Sequence, residues 1–296
     1  MMFARIALFI QPFLFAANMI SARYMAGEFP PIALAFFRWG FAFAILLPFI
    51  WRDLWQARQA IMRHWQQFTI LGALGMGVCG AFVYVGAYST SAINIGVIYT
   101  ISPVFILLIN RIFYRHKISH SQYIGILIAL MGVLLVIGRG NIDNLLTLQF
   151  VIGDLWILAA AFGWAFYSIW NGSWALPISG LAKLGMVSFA GVLVLLPFTL
   201  FEALQGGMPI MDSHNLFMLV FMALVPSLGA YLLYSYITLH LGALIAGLTL
   251  YLSPIATALI GYFLLEGAIF PYHIYGTILV IFGIMLSQFS GKLKAK

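Results

Sequence analysis

Charge is what this chain has least of. Of its 296 residues only 7% are charged, while 64% are hydrophobic, and the mean hydropathy is +1.06. A water-soluble domain carries about 25% charged residues, because its exterior must be hydrated. So few charges cannot make a water-facing shell, and lipid is read as the main solvent. Cysteine is nearly absent as well. The single Cys79 excludes an intramolecular disulfide and a cysteine-rich metal site, and its place among glycines in an apolar run reads as packing.

Acidic residues are scarce, 7 against 14 Lys and Arg. None lies in the middle third of an apolar run, so a carboxylate proton relay has no obvious residue, Asp154 coming nearest. The expectation is facilitated diffusion or exchange. The six histidines sit in loops or near the ends of runs, and none pairs at metal-ligand spacing. No His-Glu cluster, acidic pair or Gly-x-Ser-x-Gly is present. No catalytic residue, metal site or cofactor is therefore expected, and the chain does not read as an enzyme. Large extramembrane loops are missing too, which argues against a receptor or assembly subunit.

What is there in quantity is apolar sequence long enough to span a bilayer, roughly 20 residues at a time. Such runs fall at about 6–26, 31–51, 67–88, 92–113 and 120–138, then 150–171, 182–201, 215–239, 243–264 and 270–290. The first is longer than a signal h-region of about 7–15 residues, so it is read as an uncleaved helix. The prediction is an all-α membrane protein of ten transmembrane helices. Basic residues set its orientation. With the N-terminus inside, eleven of the fourteen Lys and Arg fall in cytoplasmic segments, among them Arg52, Arg58, Arg111 and Lys183. Both termini are then cytoplasmic, the setting is the bacterial inner membrane, and the net charge of +7 encodes topology rather than nucleic-acid binding.

The chain also repeats itself. Residues 92–140 laid on 243–291, an offset of 151, give eleven identities. Four glycines are among them, and the pairs Ser102-Pro103 and Ser253-Pro254 coincide. Upstream, Leu47-Pro48-Phe49 matches Leu196-Pro197-Phe198 at an offset of 149. Two units follow, residues 1–140 and 141–296. Five helices is an odd number, so the second unit enters the membrane inverted. Inverted repeats are a mark of secondary transporters whose site lies between the halves and is exposed alternately to each side.

These residues resemble the EamA family of the drug/metabolite transporter superfamily along nearly the whole chain. The resemblance rests on Phe15-Ala16-Ala17-Asn18 and Trp164-Ala165-Phe166-Tyr167 in the first helix of each unit. It rests too on the two Ser-Pro pairs, on Arg38 in Phe36-Phe37-Arg38-Trp39, and on Glu266 after the ninth run. The second unit has Val187 where Arg38 would recur, and Arg115 stands in the first unit where Glu266 stands in the second. The resemblance implies export or exchange of amino acids and related metabolites, aromatic amino acids in the first place. Other neutral metabolites or drugs are the alternative. Oligomeric state is left open, a monomer being allowed.

Candidate binding residues come from polar and aromatic stripes, because polar groups at this depth should face inward. Trp164, Tyr167, Ser168 and Asn171 share one helical face, and Tyr231, Tyr234, Ser235 and Thr238 repeat the spacing. Gln11, Phe15 and Asn18 line one side of the first run, Tyr84 sits in the third, and Tyr99 lies one turn before Ser102. The candidate substrate contacts are Asn18, Arg38, Tyr84, Tyr99, Trp164, Tyr167, Tyr234 and Ser235. The plainer reading is interhelical hydrogen bonding or interfacial anchoring. Arg38, some eight residues into its run, either attracts a substrate carboxylate or holds a structural contact to carbonyls or to Asp154. Pro103 and Pro254 are candidate hinges, since proline removes a backbone donor and clashes one turn earlier; the plainer reading is a tolerated kink.

Overall fold

The computed structural model describes residues 2–90, 92–115, 118–138, 140–146, 151–206, 209–264 and 270–289. Among them there is no strand. Six helices are long and apolar enough to cross a membrane: α1 (Met2–Tyr24), α2 (Pro31–Gln56), α3 (Trp65–Ala87), α6 (Ile152–Ser173), α7 (Gly180–Gly206) and α8 (Ser213–Leu241). Between and after them lie apolar helices that are shorter or broken. These are α4 in two pieces, α4a (Ala92–Tyr99) and α4b (Ser102–Ile112); α5 (His120–Ile137); α9 as α9a (Ala243–Gly247) and α9b (Ser253–Leu264); and α10 (Pro271–Phe289). Short connecting helices occupy Arg58–Arg63 and Ile142–Leu146. Glu266 lies outside the described residues.

Polarity is arranged inside out. Large apolar side chains such as Phe49, Leu127, Met131, Phe198, Ile278 and Phe282 are exposed, while Gln11, Arg38, Ser102, Ser168, Ser188 and Thr249 are buried. An exterior of this kind needs lipid to cover it, and polar groups then gather in the interior, where partners exist.

Packing follows a regular exchange between the two ends of the sequence. α2 pairs along its length with α7, and α5 with α10. α1 lies on α8 and α9b, and α6 lies correspondingly on α3 and α4b. α2 crosses α8 as α7 crosses α3. α5 and α10 approach each other closely at two matched glycine pairs. A Cβ added to Gly125 would stand 2.5 Å from the Gly283 carbonyl oxygen, and one added to Gly132 would stand 2.7 Å from that of Gly276. Without a driving hydrophobic effect in lipid, helices associate through such backbone contact.

Three departures from a straight α-helix shape the middle of the bundle. Ser-Pro sequences break α4 at Thr100 and Ile101, and turn residues Leu248–Leu252 of α9 into a 3-10 stretch. The third is a pair of π-helical segments, Ala73–Ala81 in α3 and Ala223–Gly229 in α8. In α8, Pro226 withholds a backbone donor, and the Ser227 hydroxyl caps the Met222 carbonyl five residues back at 2.8 Å. In α3 the segment is glycine-rich: at Gly75 a Cβ would fall 2.6 Å from the Tyr167 ring, and at Gly80 it would fall 3.1 Å from Trp39 Nε1. Single wide turns of this type recur at functional sites.

Candidate functional site

The broken and widened helices converge on an enclosed cavity of about 20 Å³ at the middle of the bundle. Its walls are Phe15, Asn18 and Met19 of α1, Cys79 and Val83 of α3, Tyr99 of α4a, Trp164 of α6, Tyr231 of α8 and Leu250 of the 3-10 stretch. Room for about one water remains. The Trp164 indole, 1% exposed, organises the aromatic side: its ring centre is 5.1 Å from Phe15, 5.3 Å from Tyr231 and 4.7 Å from Tyr234. Trp39 meets Tyr231 edge-on at 4.8 Å. Such edge-to-face pairs add directional attraction to the burial of large rings.

The two Ser-Pro bends meet behind this cavity. The Pro254 ring lies 3.7 Å from where a Gly96 Cβ would be, and Pro103 Cα is 3.7 Å from where a Gly247 Cβ would be. Each proline therefore packs on the glycine that precedes the other's bend. Ser102 donates to the Ala161 carbonyl of α6 at 3.3 Å.

Toward one end the cavity is closed by Arg38, Asn18 and Tyr84. Arg38 Nη1 donates to Asn18 Oδ1 and to the Tyr84 hydroxyl, and Tyr84 in turn donates to Asn18 Oδ1 at 2.8 Å. The guanidinium carbon stands 4.6 Å from the Trp39 ring centre. Asp154 is not the structural partner considered for Arg38. It accepts from Thr90 and, at 2.8 Å, from the Val151 N–H, capping the start of its own helix. Further cross-links tie this end together: Tyr88 donates to the Phe29 carbonyl at 2.8 Å, Arg23 to the Ala87 carbonyl at 3.1 Å. Glu202 accepts the Ala33 and Ile32 N–H groups at the start of α2, at 2.7 and 3.2 Å.

Toward the other end two bonds between α6 and α8 form the closure. The Ser168 hydroxyl donates to the Trp164 carbonyl at 2.7 Å, so Tyr234 is the donor in the 2.6 Å bond between their hydroxyls. One turn on, Asn171 Nδ2 donates to Ser235 at 3.0 Å. Beyond lies a vestibule of about 340 Å³ lined by Asn110, Tyr114, Gln122, Ser173, Thr238 and neighbouring apolar residues. It is shaped by the α8–α9 turn, where Gly242 takes φ 87°, a left-handed conformation that suits glycine. Lys183 caps the carboxyl end of α6 here, donating to the Asn171 carbonyl at 2.7 Å.

Of the residues singled out in sequence, Asn18, Tyr99 and Trp164 line the cavity itself, Arg38 and Tyr84 stand behind Asn18, and Tyr234 and Ser235 belong to the closure toward the vestibule. Tyr167 is a second layer against Trp164 and Tyr231, at 5.3 and 5.8 Å. Six wall residues escaped selection: Phe15, Met19, Cys79, Val83, Tyr231 and Leu250. Tyr231 begins the same helical stripe as Tyr234, and Phe15 lies between Gln11 and Asn18, so both carried a signal. Met19 and Cys79 carried none, Cys79 being turned inward by the π segment. Among the described residues no three His, Cys, Asp or Glu side chains gather as a metal site would require.

An apolar-walled bundle with broken helices around a small internal cavity defines a multi-pass integral membrane protein of the transporter class. The EamA-like transporter family profile matches residues 2–138 and again 151–289, and the chain belongs to that family. YyaM of Bacillus subtilis (strain 168), an uncharacterized transporter, is 26% identical over 90% of this chain and 87% of its own. An uncharacterized transporter of Archaeoglobus fulgidus is 20% identical over 93% of both. A solved crystal structure with 16% identity superposes at a TM-score of 0.72 over 98% of each chain, a likeness of fold. The family and these relatives point to a transporter rather than an enzyme.

Proposed function

We propose that this protein is a secondary transporter that exports or exchanges small metabolites, aromatic amino acids foremost, by alternating access between two inverted five-helix repeats. The observation that carries the reading is the enclosed cavity walled by Phe15, Trp164, Tyr99 and Tyr231. Flat apolar groups fit between rings, and a few polar handles give orientation. At about 20 Å³ the cavity is far too small for an amino acid, so binding must open it. The breaks at Ser102-Pro103 and Ser253-Pro254 are where the surrounding helices can yield, and they make Pro103 and Pro254 the hinges of the proposed cycle.

In this reading the two repeats are residues 1–140 and 141–296. The shorter and broken apolar helices join the six long ones to make ten spans. Both termini lie in the cytoplasm, the vestibule beside Lys183 faces inward, and the membrane is the bacterial inner membrane. The test is counterflow in proteoliposomes preloaded with unlabelled phenylalanine, tryptophan, threonine or methionine, followed by entry of labelled phenylalanine. Transient accumulation that Trp164→Ala abolishes, with the protein still monodisperse, is the expected result. Absence of entry with every amino acid would reject the amino acid reading and leave other neutral metabolites.

A further inference from the structure

Arg38 carries a charge that nothing in the described protein answers. Its side chain is 1% exposed, and its hydrogen-bond partners, Asn18 and Tyr84, are both neutral. Its Nε is buried and donates to nothing. Two acids toward this end of the bundle are engaged elsewhere, Asp154 with Thr90 and the Val151 N–H, Glu202 with the start of α2. A guanidinium presents five N–H donors and no acceptor, so its burial calls for acceptors around it. A buried cation without a counter-ion is costly, and the ring of Trp39 at 4.6 Å compensates only in part.

We infer that Arg38 is the docking point for a carboxylate on the solute, and that the site demands this negative charge rather than an amino group. Asn18 links the two places, since it both lines the cavity and holds Arg38. A carboxylate reaching the Nε edge of the guanidinium takes the idle Nε–H and the Nη2–H parallel to it, the paired geometry that guanidinium offers carboxylates, while Nη1 faces Asn18 and Tyr84. The remainder of the solute then lies against Phe15, Trp164 and Tyr231. No acidic side chain is among the cavity walls, so an ammonium group finds ring faces but no ionic partner. The ligand class is therefore aromatic or apolar monocarboxylates, of which aromatic amino acids are one kind and their des-amino and 2-oxo counterparts another. The inference rests on the transport reading for the solute's fate, not for its binding.

Binding alone tests it, by thermal stabilisation of the purified protein in detergent with 3-phenylpropionate, phenylalanine and phenethylamine. Both carboxylates should stabilise the wild type, and phenethylamine, which lacks the carboxylate, should not. Arg38→Gln should weaken 3-phenylpropionate by about tenfold to a hundredfold, the range for charge-assisted hydrogen bonds. Arg38→Lys, which keeps the charge without the planar fork, should retain the preference for carboxylates at about tenfold lower affinity. Should Arg38→Gln fail to fold, Arg38→Lys and the wild-type ligand series still decide. The inference is overturned if phenethylamine stabilises as well as 3-phenylpropionate, if neither carboxylate binds the folded wild type, or if Arg38→Gln binds unchanged. Carboxylate binding without any counterflow would leave it standing and remove the transport reading instead. Flux with no need of a carboxylate would do the reverse.

Discussion

Gly132→Ala tests the packing that holds α5 to α10. The added methyl would sit 2.7 Å from the Gly276 carbonyl oxygen, 2.9 Å from Leu279 Cβ and 2.9 Å from the Val280 nitrogen. Two of these three atoms are backbone, so no rotamer change relieves the contact, and the helices must part by about 0.7 Å to reach ordinary van der Waals distance. Overpacking of this kind costs about 1–3 kcal/mol. Replacing glycine within a helix returns about 0.5–1 kcal/mol. The net expectation is a loss on the order of 1–2 kcal/mol. Gly40→Ala is the matched control, because nothing lies within 4 Å of its added methyl. Reversible unfolding in mixed micelles by denaturing detergent gives both values. Gly125→Ala at the other end of the crossing should cost a similar amount, and the double variant less than the sum, since helices already parted make room for the second methyl. If Gly132→Ala is as stable as Gly40→Ala, the close α5–α10 crossing is wrong.

Two further outcomes are expected. Cys79, the single cysteine and a wall of the cavity, should react slowly with a maleimide in the resting protein, be slowed further by a bound solute, and be accelerated severalfold by Tyr234→Phe, which loses the bond to Ser168; unchanged labelling would place the closure elsewhere. Glu202→Ala should destabilise by about 1–2 kcal/mol in the same unfolding assay, because it strips the carboxylate from the first N–H groups of α2, while Glu202→Gln should lose less.

Much of this architecture is readable in the sequence because lipid imposes simple terms. The long runs at α1, α2, α3, α6, α7 and α8 had to be helices, and the Ser-Pro pairs marked where α4 and α9 break. Arg38, Asn18 and Trp164 could be picked out as polar or amphipathic groups too deep to face lipid. What could not be read is which neighbour each would find. Arg38 was weighed against Asp154, a charge pairing that sequence makes attractive, yet the structure gives Arg38 to Asn18 and Tyr84, and Asp154 to a helix cap. The π segments were equally hidden. Cys79 among its glycines read as packing, and nothing in the spacing of Gly75, Gly77 and Gly80 announced a wide turn that would bring Cys79 to the cavity and free the Gly75 carbonyl to accept from Tyr231 at 2.9 Å.

The two closures of the cavity differ in strength, and the difference bears on how the proposed cycle would begin. Side-chain hydrogen bonds between membrane helices average about 0.6 kcal/mol and reach about 1.7. Between α6 and α8 the closure toward the vestibule has the side-chain bonds Tyr234 to Ser168 and Asn171 to Ser235, and breaking these two costs on the order of 1–3 kcal/mol. An open form at that cost is populated between about 0.5% and 15%, enough for a solute to capture. The opposite end is bound by the Arg38, Asn18 and Tyr84 cluster and by Tyr88 to Phe29, Arg23 to Ala87, Thr90 to Asp154 and Glu202 to α2. Thermal fluctuation alone does not release so many bonds together. A solute carboxylate that draws the guanidinium toward itself would loosen the Nη1 bonds to Asn18 and Tyr84, the innermost of them, and so would couple occupancy of the site to opening at the far end.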